Sequence, residues 1–217
     1  MIKTNNTDAE NIRSALARLP GVATVNDVRI KDRIIESISL ENKSLGRLVL
    51  QRLNVEDSPA LFDFYFRGLS EQSRNFWPPY PLFNPPIKSA EELATRIRDW
   101  QREDDWTFLN LLKEKQIIGA CLLKRYQPQR PVSGLAVREE FQKRGLGFLL
   151  QTIINEQAHL LGLKKLYATL AQENIASRRL HEKCGFKQTG RLVPHFGYQD
   201  GNKVVDRQEI EMVQEFN

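Results

Sequence analysis

Residues 131–137 read P-V-S-G-L-A-V, 138–141 R-E-E-F, 142–147 Q-K-R-G-L-G, and 148–161 F-L-L-Q-T-I-I-N-E-Q-A-H-L-L. The first piece is short, apolar and β-permissive, as a buried strand is. The last places Leu146, Leu149, Leu150, Ile153, Ile154, Leu160 and Leu161 on one helical stripe that Gln157 interrupts. Between them lie basic side chains and two glycines, Gly145 and Gly147, at the strand-to-helix junction. A helix start leaves backbone N–H groups without partners and carries partial positive charge, so such a junction can hold phosphate. Glycine, with no Cβ, lets phosphate oxygens reach the backbone.

Three phosphate-binding patterns compete for that junction. A P-loop needs G-x-x-x-x-G-K-[ST], a string the chain lacks. A dinucleotide fingerprint needs a third glycine where Leu150 stands, and an acidic residue about 20 positions on. Q-K-R-G-L-G instead matches the Q/R-x-x-G-x-G/A acyl-CoA signature of the GNAT superfamily of N-acetyltransferases. A second block strengthens the resemblance. After a strand-like run from Lys164 to Ala171 comes Q-E-N-I-A-S-R-R-L-H-E-K-C-G-F, residues 172–186. This resembles the family's N-x-x-[AS]-x-x-[LF]-[YH]-E-K-x-G-F helix, at the family's spacing from the first block. The likeness extends from Gly46 to the C-terminus.

That resemblance implies an α/β GNAT fold: a central mixed, mostly antiparallel sheet with splayed middle strands and flanking helices. It divides the chain into an N-terminal extension over 1–45 and a transferase domain over 46–217. The implied reaction moves an acetyl group from acetyl-CoA to a primary amine by direct attack, through a tetrahedral intermediate and without an acyl-enzyme. The splayed strands, 131–137 and 165–171, would admit the pantetheine arm between them. Leu135 and Val137 would pair with its amides, and the backbone N–H of Val137 would stabilise the oxyanion. Gln142, Lys143, Arg144, Gly145, Leu146 and Gly147 would cradle the pyrophosphate. Asn174 would bond the pantetheine arm or merely cap the helix that follows it. Ser177, Arg178 and Lys183 would approach the adenosine phosphates. His181 stands where many relatives carry a tyrosine that protonates the leaving thiolate.

The acceptor side is expected from segments the resemblance places near the amine. Residues 76–86, F-W-P-P-Y-P-L-F-N-P-P, hold five prolines in eleven residues, which forbids a regular helix or central strand. Trp77, Tyr80 and Phe83 there either pack a stiff connector onto the core or wall the acceptor pocket. His195 lies on a C-terminal segment expected to reach back over the same side. No general base is singled out among Glu71, Tyr80, Glu139, Glu140 and His195.

Composition narrows the remaining possibilities. The chain has 217 residues, 32 basic against 27 acidic, and a formal charge of +5. This suits an anionic cofactor, whereas no long basic run or zinc spacing points to nucleic acid or a metal. Two cysteines, Cys121 and Cys184, are too few for a disulfide framework, and no apolar run reaches membrane length. A cytoplasmic enzyme acting as monomer or homodimer on a small-molecule amine or a protein N-terminus is expected, with no metal. A catalytically silent acyl-CoA-binding sensor is the alternative.

Along the rest of the chain, the pattern predicts a helix near residues 7–18 and a hairpin from Val25 to Leu40. It further predicts a strand at 46–53, a helix opening at Pro59 and running to Leu69, and a helix at 89–102 with a Ser89/Glu92 capping box. A second hairpin spans 106–123. Two last long strands, 186–192 and 204–213, are joined through Asp200-Gly201-Asn202.

Overall fold

The computed structural model describes residues 6–79, 82–83, 86–102, 106–124, 129–194, 198–200, 203–205 and 207–216. Tyr80 and His195 lie outside them. The chain runs α1 (Asn6–Ala17), β1 (Val22–Lys31), β2 (Ile34–Asn42), β3 (Gly46–Arg52), α2 (Ser58–Asp63), α3 (Glu71–Phe76), α4 (Ala90–Trp100), β4 (Trp106–Lys113), β5 (Gln116–Lys124) and β6 (Val132–Val137). Then follow α5 (Leu146–Leu160), β7 (Lys165–Ala171), α6 (Ile175–Lys183), β8 (Lys187–Pro194), β9 (Tyr198–Asp200), β10 (Lys203–Val205) and β11 (Gln208–Glu215).

Nine strands form one sheet in the order β1-β2-β3-β4-β5-β6-β7-β11-β8. Neighbours are antiparallel except β6 and β7, which run parallel. The sheet separates two apolar layers. On one face α1 and α5 bury Ile12, Leu16, Leu149, Leu150, Ile153 and Ile154 against Leu40, Leu111, Cys121, Leu166, Ala168 and Met212. On the other, Leu61, Phe64, Leu93 and Ile97 from the helices meet Trp77, Phe83, Phe108, Leu122 and Ala136.

The N-terminal helix and hairpin extend this same sheet. Gln157 explains its own interruption of the apolar stripe. Fully buried on α5, it accepts from Ile35 N–H at 2.8 Å and donates to Arg33 C=O at 2.9 Å. Arg33 Nε in turn donates to Leu160 C=O at 2.6 Å. One amide thus satisfies two backbone groups at the turn of the β1–β2 hairpin and ties it to the helix below the site.

Two local expectations are corrected. The helix that opens at Pro59 does not continue regularly to Leu69: α2 ends at Asp63 and the chain widens into a π-helical turn over Phe64–Gly68. The last two long strands do pair, β8 with β11, but the second starts only at Gln208. A short antiparallel hairpin, β9–β10, intervenes, pairing Lys203 with Asp200 and Val205 with Tyr198, and Gly201 and Asn202 of the expected turn lie outside the described residues. The capping box at α4 forms in altered register. Ser89 accepts from Glu92 N–H at 3.3 Å, but the Glu92 carboxylate turns to Lys88 N–H at 2.9 Å.

Gln157→Leu is expected to leave Ile35 N–H and Arg33 C=O without their partner and to cost about 1–3 kcal/mol, the penalty for the one buried group, Ile35 N–H. Urea unfolding of the two proteins measures this, and a midpoint within error of wild type would show the tie to be dispensable.

Candidate active site

The site begins where β6 and β7 part. Their pairing consists of Val132 opposite Tyr167, with Tyr167 N–H donating to Pro131 C=O at 2.8 Å and Ser133 Oγ to Tyr167 C=O at 3.3 Å. Beyond that point the strands share no ladder. Backbone polar groups alternate sides along a strand. Arg138 N–H bonds to Ile118 C=O on β5 at 2.9 Å, whereas Pro131 C=O turns to β7. The odd-numbered residues Leu135 and Val137 therefore aim their N–H and C=O into the gap. Thr169 does the same from β7, two residues beyond Tyr167. Val137 C=O is satisfied by Gln142 Nε2 at 3.2 Å; its N–H is left for another partner.

At the open end of this gap stands the start of α5. Gly145 precedes it with φ +79° and ψ −1°, a left-handed conformation that costs glycine little, and Lys143 also has positive φ at +59°. The first intrahelical bond runs from Leu149 N–H to Gly145 C=O at 3.1 Å, so the N–H groups of Leu146, Gly147 and Phe148 have no acceptor within the helix. Gln142, Lys143, Arg144 and Gly145 are exposed around them, and Leu146 is buried beneath. Unpaired donors, a helix dipole and two cationic side chains are the features that suit an anion. Gly147 has an additional, steric reason to be glycine: a Cβ there would stand 3.2 Å from Leu180 Cδ2 of α6.

Asn174 and Ser177 are joined by the helix start itself: Asn174 Oδ1 accepts from Ser177 N–H at 3.1 Å, the capping arrangement. One turn on, His181 is buried at 3% exposure, edge-on to Phe186 with ring centres 5.0 Å apart. Its Nδ1 lies 2.8 Å from the carbonyl of Ser177. A carbonyl only accepts, so Nδ1 carries the hydrogen and Nε2 a lone pair that meets no partner. Burial lowers the imidazole's pKa, outweighing the Ser177 bond that raises it. The resting His181 is therefore neutral and acceptor-only at Nε2. A proton to be donated from that atom has first to be taken up.

Glu139, one of the bases weighed from sequence, is already engaged. Its Oε1 accepts from Ser73 Oγ at 2.6 Å, Ser70 Oγ at 2.7 Å and Ser70 N–H at 3.1 Å. Burial alone would raise its pKa, but these bonds hold the carboxyl below the usual range, which makes it a weak base. Arg138 beside it donates to Asp63 at 3.0 Å and Glu140 at 3.2 Å. Both thiols are raised by burial, Cys184 to about 12 and Cys121 further. Neither is ionised enough to act as a nucleophile.

Trp77 and Phe83 sit in the aromatic layer on the second face. Phe83 stacks on Tyr65 at 3.8 Å, and Trp77 lies edge-on to Phe64 at 6.2 Å. Two residues on this face escaped sequence reasoning. Glu209 and Glu211 pair with Ala171 and Thr169, while Ile210 and Met212 between and beyond them face the first core. The carboxylates thus point to the second face, at 1% and 2% exposure. Glu211 binds Arg130 and, at 2.8 Å, Thr189 Oγ1; Glu209 binds Arg207, which also lies over the Phe76 ring. The alternation Q-E-I-E-M was the available signal, since apolar residues on one face of a central strand place the intervening glutamates on the other.

Among the described residues no cluster of three or more His, Cys, Asp or Glu side chains could hold a metal ion, and no helix is long and apolar enough to cross a membrane. Residues 47–187 match the family pattern described as an acetyltransferase (GNAT) domain. No curated protein matches the sequence. Among solved structures, the spermidine N-acetyltransferase of Vibrio cholerae in complex with CoA and spermine is similar over 77% of this chain and 95% of its own, with 21% identity and a TM-score of 0.60. The ribosomal-protein-alanine N-acetyltransferase of Brucella melitensis is similar over 77% and 99%, with 19% identity and a TM-score of 0.59. A Salmonella typhimurium protein solved with its cofactor acetyl-CoA is similar over 78% and 94%, with 16% identity and a TM-score of 0.59. At these identities the likeness is one of fold.

Because His181 is buried neutral, its folded-state pKa lies below the unfolded value of about 6.5. The unfolded chain then binds the extra proton, so stability is retained above that value and lost as pH falls below it. Urea unfolding at pH 7 and pH 5 should show a smaller loss in His181→Phe than in wild type; an equal loss would contradict the burial argument.

Proposed function

The chain belongs to the GNAT acetyltransferase family, and from that membership we propose that it transfers the acetyl group of acetyl-CoA to the nitrogen of a primary amine. The observation that carries this reading is the parting of β6 and β7 with the glycine-led start of α5 at its mouth. The unpaired amides of Leu135 and Val137 suit the pantetheine arm, which acts as a further strand. The N–H groups at Leu146 and Gly147, with Gln142, Lys143, Arg144 and Gly145, suit the pyrophosphate. Asn174 and Ser177, already linked by the helix cap, flank the same arm.

In the transfer, the amine lone pair forms the C–N bond at the thioester carbonyl, the C–S bond breaks, one amine proton leaves and the thiolate gains one. Val137 N–H is oriented in advance toward the oxyanion, a role in which backbone donors contribute about 2.7–4 kcal/mol. His181 Nε2, neutral and without a partner, takes up a proton released during attack and returns it to the departing sulfur. The raised thiols of Cys121 and Cys184 support direct attack over a cysteine relay. Trp77 and Phe83, with Tyr80 and His195, are assigned to the acceptor side. The two free cysteines fit a reducing, cytoplasmic setting.

Gly145→Asp tests the cofactor site. A Cβ at Gly145 meets open space, and aspartate tolerates left-handed backbone and caps helices well, so the fold is retained. Its carboxylate, however, occupies the anion site. Calorimetry should show CoA affinity at least tenfold weaker, with Gly145→Asn losing much less; undiminished affinity in the aspartate variant refutes the assignment. Gly147→Glu is a poorer probe because it also presses on Leu180.

His181→Phe is expected to lower kcat about a hundredfold with little change in CoA affinity, and His181→Tyr to retain more activity than the phenylalanine variant. Turnover is followed with acetyl-CoA and a panel of primary amines under conditions where chemistry limits the rate. If His181→Phe matches wild type, the residue has no part in the proton transfers.

A further inference from the structure

Trp77 is 8% exposed, and its indole N–H is buried without a hydrogen-bond partner. Buried N–H donors are rarely left unpaired, because each costs about 1–3 kcal/mol. Trp100 carries a second such N–H, but beside Leu53 and Trp106, at the far end of the strands from the mouth of the gap. Trp77 differs in what it touches. A Cβ built on Gly134 would lie 3.1 Å from Trp77 Nε1. Gly134 is two residues beyond Val132, the one β6 residue paired with β7, so the nitrogen edge of the indole lies on β6 where the fork opens, on the acceptor face. Glycine there leaves room for the indole edge that any other residue would fill.

Resting on the transferase reading, we infer that the acceptor is an α-amino carbonyl compound whose carbonyl oxygen is held by Trp77 Nε1–H while its amine attacks. An indole N–H only donates, so its complement must be an accepting atom close to the reacting nitrogen. An α-amino amide has such an oxygen, on the carbon next to the one bearing the amine. A protonated polyamine offers donors alone. Two buried carboxylates on this face that could otherwise hold ammonium groups, Glu209 and Glu211, bind Arg207 and Arg130. Free amino-acid amides and peptide N-termini share the required chemistry.

The test uses alaninamide, an alanine-led hexapeptide, propylamine and spermidine with acetyl-CoA. The ratio of kcat/KM for alaninamide to that for propylamine is compared between wild type and Trp77→Phe, which cancels the amines' intrinsic reactivity. Loss of one such hydrogen bond should lower the ratio about tenfold, equivalent to about 1.4 kcal/mol. In parallel, the three tryptophan indole N–H signals of the ¹⁵N-labelled protein with CoA are followed by NMR. Alaninamide should move the Trp77 signal, identified by its absence from Trp77→Phe, and propylamine and spermidine should not. If Trp77→Phe fails to fold, Trp100→Phe and Trp106→Phe identify the signal by exclusion. Preference for the hexapeptide over alaninamide marks a protein N-terminus; the reverse marks a small molecule; either upholds the inference. An unchanged ratio, or a Trp77 signal indifferent to alaninamide, overturns it while leaving the transferase intact. Absence of turnover with every amine overturns the transferase reading itself.

Discussion

Everything at this site follows from two parallel strands that cannot stay together. β6 and β7 meet at Val132 and Tyr167 and then separate, although each is firmly paired on its other side, with β5 and with β11. A strand interior must place its N–H and C=O groups somewhere. Here Leu135, Val137 and Thr169 direct theirs into a gap. The fold therefore carries, in the middle of its sheet, an edge that a soluble protein would ordinarily have to protect. An extended ligand with amides of its own is the natural complement to such an edge, for the reason that a peptide adds to an exposed strand.

The surroundings enforce that opening. α5 begins immediately beyond β6 and packs its full apolar stripe on one face, with Gln157 anchoring the helix to the added hairpin through the Ile35 and Arg33 backbone. Its N-terminus is thereby held at the open end of the gap, where Gly145 turns the chain. Gly147 brings α6 close through Leu180, and the same helix presents His181. One packing arrangement consequently positions the start of α5, the widened strands and the buried imidazole together.

How much of this was legible depended on whether a pattern encodes backbone or tertiary contact. The strand, glycine turn and helix at 131–161 are local, and their residues reveal them. The Asn174 cap is likewise local, and of the two roles read for Asn174 it is the one visible between Asn174 and Ser177. Tertiary accommodations left no such trace. The π-helical turn at Phe64–Gly68 sits in a segment whose apolar spacing reads as a plain helix. The partners of Glu139 lie 66 and 69 positions away in sequence. The fates of Trp77 and Phe83 turned on whether a proline-rich loop folds onto the core or stands off it, and prolines constrain the chain without saying what it leans on.

The engagement of Glu139 links the two halves of the site. Arg138 and Glu139 directly follow Val137, the residue proposed for the oxyanion, and both reach across to the helices of the second face. Arg138 holds Asp63 at the end of α2, and Glu139 gathers the Ser70 and Ser73 hydroxyls at the start of α3. α3 then delivers Trp77 onto Gly134, three residues back along the same strand from Val137. The segment proposed to form the acceptor wall is thus attached at both ends of α3, to β6 at Gly134 and to the turn that follows β6 at Glu139. A carboxylate that accepts three hydrogen bonds makes a poor base, but it makes a firm fastening. On the proposed reading its part is positional, because the orientation of an incoming amine would depend on where α3 is held.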